Sequence, residues 1–204
     1  MNQNLRNLRK LVVMAMLVAI SIVLVYLIHL PLIPAVPFLE YDPADIPILI
    51  GAFAYGPLAG VGLTVVTSVV QGLTVSAGSG AYGIIMHIIA TSTLVIVAGN
   101  IYKVKHTRTG AIIALVCGTL AMGIVMMPAN HFITPIFMGV PTEVLDALLL
   151  PGILPFNLIK AGINSIVTFL VYKTVSRHII HAGENWKKDE VKQVEEPKTE
   201  ETEE

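Results

Sequence analysis

Charge is what this chain has least of. Only 13% of its 204 residues are Asp, Glu, Lys or Arg, against 54% hydrophobic. A soluble domain carries about a quarter of its residues charged, so the composition excludes that class and points to a polytopic membrane protein. The net charge of -1 provides no basic footprint for nucleic acid. A single cysteine, Cys117, excludes an internal disulfide and reads as a small packing residue. Nowhere does a Gly-rich run carry the lysine and spacing of a phosphate-binding P-loop; residues 76–80, Ser-Ala-Gly-Ser-Gly, come nearest and lack both, so the chain does not bind and hydrolyse ATP by that route. His87 and His131 invite a metal hypothesis, but neither has the paired-histidine or clustered-cysteine spacing of a zinc site, and no metal is expected.

The few positive charges are unevenly placed. Arg6, Arg9 and Lys10 precede the first apolar run; Lys103, Lys105 and Arg108 interrupt the middle; Lys173, Arg177, Lys187, Lys188, Lys192 and Lys198 follow the last. Apolar runs at 11–30, 46–55, 58–72, 82–102, 110–127 and 157–172 then predict an all-α integral membrane protein of six transmembrane helices. With six crossings all three clusters fall on one side, which the positive-inside rule makes the cytoplasm, and both termini lie there. The run after Lys10 is long and ends in no small-residue cleavage site, so it reads as a retained span rather than a signal peptide. The organisation expected is a cytoplasmic N-terminus at 1–10, a membrane domain at 11–182 and a disordered, Glu/Lys-rich tail at 183–204.

Between the first two runs, residues 31–45 hold four prolines, no Lys or Arg, and the acids Glu40, Asp42 and Asp45. This is no regular helix; it reads as an outer loop able to fold over a site, or else as a solvated connector. Residues 46–55 are short for a span, and Gly56-Pro57 marks a tight turn. Thr64, Thr67, Ser68 and Gln71 form a mild polar stripe on the next run, of the kind usually satisfied by backbone carbonyls. Pro128 closes the fifth run, and the stretch through Pro135, Pro141, Glu143 and Asp146 to Pro151 reads as irregular.

The remaining cation is Lys160. It sits inside the last apolar run, where an ammonium is disfavoured by roughly 2.5–3.5 kcal/mol. It lies about 20 Å of helix before Lys173, hence roughly 10 Å below one face of a core about 30 Å thick. Asn157, Lys160 and Asn164 share one helix face at i, i+3 and i+7. Either the side chain snorkels to the surface or that face lines a polar cavity. His87, Asn130, Asn157 and Lys160 all fall near the outer ends of the last three spans, which favours the cavity. An intramembrane enzyme using His87 or His131 as base beside Asp42, Asp45 or Glu143 is the contrasting reading, without a recognisable nucleophile motif.

Three motifs add a resemblance: Asp42-Pro-Ala-Asp45-Ile-Pro47 followed by Tyr55-Gly-Pro-Leu-Ala-Gly60; Ala121-Met running to Asn130; and Gly152-Ile-Leu-Pro-Phe-Asn157-Leu-Ile-Lys160. Over about residues 11–177 the chain resembles the substrate-binding S components of energy-coupling factor (ECF) vitamin transporters, in their riboflavin branch. The resemblance implies capture of riboflavin or a related flavin from outside, bound as transported substrate and not as a cofactor. It also implies a membrane coupling subunit and two ATPases as partners, docking against the small-residue pair Ala15 and Ala19. The family's flavin-contacting asparagines and lysine map onto Asn130, Asn157 and Lys160; His87, Asn164, Glu40 and Asp42 complete the expected substrate-binding set. Thr67-Ser68 stands where the branch usually has Lys-Asn, His87 where it has Asn, and Asn164 where it is aliphatic, so another vitamin or heterocycle is the alternative ligand.

Overall fold

A computed structural model describes residues 3–172. Long apolar sequence in lipid must satisfy its backbone internally, and helices do so. α1 spans Gln3–Leu27, α2 Asp45–Tyr55, α3 Pro57–Leu73, α4 Gly80–Val104, α5 Arg108–Met138 and α6 Thr142–Leu148. A π-turn at Leu149–Ile153 leads into α7, residues 154–172. Among the described residues four helical runs are long and apolar enough to cross a membrane: Asn7–Leu27 within α1, Ala77–Val104 through α4, α5, and Thr142–Tyr172 through α6 and α7; α2 and α3 are shorter apolar helices. The packed unit runs to Phe169, and the other described residues, Leu170 to Tyr172, are helical and open a second unit. The predicted tail at 183–204 lies outside the described residues.

The prolines of the 31–45 segment leave it only one small regular element. Leu30–Pro31 (β1) pairs antiparallel with Glu40–Tyr41 (β2), so the all-α expectation is exceeded by one two-residue ladder. Between these strands Val36, fully buried, packs with Ile153 and Phe156, ringed by Leu32, Ile33, Phe38, Leu39, Leu148 and Leu149. The segment is therefore a packed cap on the π-turn and the start of α7, not a solvated connector. Gly152 permits the contact, since a Cβ there would come within 2.7 Å of Val36 Cγ1. At the opposite end of α2, Gly56 makes the turn into α3 with φ of 93°, a conformation that L side chains rarely adopt.

Two expectations are corrected. α5 does not stop at Pro128; it continues through Pro128 and Pro135 to Met138, where Gly139 and Val140 donate to the Pro135 carbonyl. A proline removes one backbone donor, but unwinding the helix in lipid would strand several, so the helix carries on. The stretch to Pro151 is likewise helical: α6, then a π-turn that takes up Pro151.

α1 sits at the edge of the unit. Its buried residues, Leu17, Ser21 and Val25, recur every fourth position and make one stripe toward α2 and α3. Ser21 donates to the Ala44 carbonyl at 3.1 Å, which ties α1 to the base of the cap. Ala15 and Ala19 flank Leu17 by two residues on either side, about 200° around the helix, and both are exposed. The small-residue pair therefore faces away from the core.

Candidate functional site

The polar residues of α7 point inward while Ile159, Ile163, Ile166 and Leu170 are exposed. Lys160 does not snorkel: its side chain is 8% exposed, and Nζ donates to Asp42 Oδ2 at 2.7 Å. Asp42 is positioned by its own turn, its Oδ1 accepting the Ala44 N–H at 3.1 Å. Burial opposes ionisation of Asp42, but the ammonium of Lys160, with His87 and the Ala44 amide, outweighs it and holds the carboxyl at about 2. Asn164 forks across the same segment, donating to the Asp42 carbonyl (3.1 Å) and to Asp45 Oδ2 (3.0 Å) and accepting from the Tyr41 hydroxyl (3.0 Å). The cap is thus tied to α7 by an ion pair and an amide.

Asp45 begins α2, where the helix dipole favours a carboxylate. Its Oδ1 accepts from the Thr91 hydroxyl at 2.6 Å and lies 3.7 Å from His87 Nε2. On the other side of the ring, Ser68 Oγ is 2.7 Å from His87 Nδ1 and donates to the Thr64 carbonyl at 2.7 Å. That donation uses the serine's one proton, so the network assigns the proton of the Ser68–His87 contact to Nδ1. His87 is held between α2, α3 and α4 with its side chain 10% exposed.

This network backs one wall of an open pocket whose empty space, counted out into solvent at the mouth, is about 730 Å³. Lys160, Asn157, His87, Ser68 and Gln71 supply its polar side; Phe38, Met86, Ala90, Met122, Met126 and Phe156 supply apolar walls. At the mouth Glu40 meets His29 Nε2 at 2.7 Å. A few polar groups set among apolar walls are the lining of a small-molecule site. Asn157 donates to the Ile153 carbonyl at 2.8 Å and retains one N–H and its carbonyl oxygen for a ligand. The Lys160 ammonium has further donors beyond the one given to Asp42.

A family model described as the ECF transporter substrate-specific component matches residues 9–172. The chain belongs to that family. Riboflavin transporter FmnP of Bacillus subtilis (strain 168) is 30% identical over 143 residues, covering 66% of this chain and 75% of its own. Riboflavin transporter RibU of Staphylococcus aureus (strain TCH60) is 30% identical over 148 residues, covering 70% and 77%. A solved S component of a bacterial ECF transporter superposes with a TM-score of 0.75 at 30% identity, over 87% of this chain and 99% of that one. This S component is an integral membrane protein of a transporter family, and in it the row Ser68, His87, Asp45 joins α3, α4 and α2.

Of the residues predicted for the substrate, the structure brings Glu40, His87, Asn157 and Lys160 to the pocket lining. Asp42 and Asn164 stand one layer behind, holding Lys160 and the cap. Asn130 is fully buried on α5, donating to the Met126 carbonyl and accepting from Thr134, and does not line this pocket. His131 pairs with Asp146 at 2.6 Å on the exposed side of α5 and α6. Sequence reasoning missed His29 and Tyr82, which line the pocket, and the contacts Asp45 makes to Thr91 and Asn164. Gln71 was visible only as part of the polar stripe on α3, and Ser68 as part of that stripe and of the Thr67-Ser68 departure; the stripe's burial marks it as inward-facing.

Proposed function

We propose that this S component captures riboflavin or a closely related flavin from outside the cell for uptake across the plasma membrane. α2 and α3 serve as two further, shorter crossings beside the four long runs, giving six in all. The positive clusters before α1 and between α4 and α5 then lie in the cytoplasm with both termini, and the pocket opens outward. A membrane coupling subunit and two ATPases supply the energy, since this chain carries no nucleotide-binding motif of its own.

One observation carries the reading: a recess whose apolar Met and Phe walls suit the faces of a flat ring, while Lys160, Asn157 and His87 line one side. A flavin ring is rich in carbonyl and ring-nitrogen acceptors, and buried acceptors need donors such as an ammonium and an amide. Two proteins similar to this chain are named riboflavin transporters, which supports a flavin as the ligand. Ala15 and Ala19, exposed on the outer stripe of α1, suit close approach by a helix of the coupling subunit.

The test is titration of riboflavin fluorescence by the purified chain, with binding expected at nanomolar concentrations. Failure to bind any flavin, with mass spectrometry recovering a different small molecule, replaces riboflavin by that molecule. The His87–Ser68 brace facing the pocket is the feature that favours such a heterocycle as the second reading.

A further inference from the structure

Gln71 stands on α3 one turn beyond Ser68, is 6% exposed and lines the pocket. Its amide orientation is determined by its neighbours. One side of the amide faces Asp42 Oδ2 at 3.5 Å and Ser76 Oγ at 3.4 Å. A carboxylate only accepts, so that side is Nε2, and its two N–H groups are directed at Asp42 and Ser76. The amide oxygen is then turned away from both, and among the described residues Oε1 has no hydrogen-bond partner.

Buried amide carbonyls are almost always paired, because one left without a partner forfeits its hydration for nothing. The wall beside it holds donors in the Lys160 ammonium and an Asn157 N–H. Gln71 Oε1 is an acceptor set among them. We infer that Gln71 binds the transported ligand by accepting a hydrogen bond from an N–H or O–H group, and so requires a donor on that edge of the ligand. This rests on the flavin reading. A flavin has two kinds of donor to offer, the imide N–H of its ring and the hydroxyls of its ribityl chain.

The experiment titrates three ligands against the purified full chain and against Gln71→Met: riboflavin, 3-methylriboflavin, which lacks the imide N–H, and lumiflavin, which lacks the hydroxyls. With Gln71→Met shown to be folded by circular dichroism, its riboflavin affinity is expected to fall about tenfold. One analogue should then bind the wild type and the variant equally: 3-methylriboflavin if the imide is the donor, lumiflavin if a hydroxyl is. If Gln71→Met does not fold, the shorter Gln71→Asn, which withdraws the carbonyl from the pocket, is judged by the same three-ligand pattern. Riboflavin affinity within twofold of wild type overturns the inference, and so does an equal loss on all three ligands, which marks a general distortion. A wild-type chain that binds no flavin refutes the proposed substrate together with this contact; intact flavin binding with a silent variant refutes the contact alone.

Discussion

Lys160 and Asp42 are 118 positions apart in sequence and 2.7 Å apart in space. Removing one member of a buried pair leaves the other uncompensated, a loss of about 3–5 kcal/mol, whereas removing both is far milder. Lys160→Met is therefore expected to lower the thermal midpoint more than Lys160→Met combined with Asp42→Asn; equal midpoints contradict the pairing. Titration has a definite sign here. Asp42 is held at about 2 in the folded chain, below its ordinary 3.8, so its contribution is whole above about pH 4 and fades as pH falls toward 2. The part of the unfolding profile removed by Asp42→Asn should accordingly be flat from pH 8 to pH 5 and decline below about 4. The lysine was legible in sequence because a charge inside an apolar run demands an explanation. Its partner was not, because nothing local relates a loop aspartate to a residue in the last helix. Asn130 shows the converse: its place on the helix was readable, but its rotamer, folded back on the Met126 carbonyl, was not.

Among the helices, α5 shows how the solvent alters the meaning of a proline. Pro128 reads as a stop by the rules of water-exposed chains, and apolar runs alone do not reveal that lipid keeps the helix wound. Since Pro128 is exposed and α5 runs on through it, Pro128→Ala should change stability by less than about 1 kcal/mol; a large change indicates a kink with a role. The cap makes a sharper demand. A side chain at Gly152 meets Val36 directly, so Gly152→Val should unseat the cap. Faster release of ligand, followed by stopped-flow fluorescence, is the expected outcome, with helix content by circular dichroism unchanged. Helices α1 to α4 were readable in order from apolar runs and the Gly56-Pro57 turn. The β1–β2 ladder and the packed cap were not, since four prolines exclude a helix without saying what replaces it.

For the molecule as a whole, the proposed function assigns binding and transport to different surfaces. The pocket is built from the cap, α3, α4, α5 and α7, whereas Ala15 and Ala19 look outward from α1. Ala15→Trp should leave riboflavin affinity of the purified chain unchanged and abolish uptake by cells that supply the coupling subunit and ATPases; loss of both contradicts the separation. The stitching of the cap to α7 has a consequence for handling. If the guest leaves by lifting the cap, a charged clasp must part inside a poorly hydrated interior, and dwell times should be long. Preparations should leave the cell already occupied, resist dialysis, and surrender their guest only after unfolding.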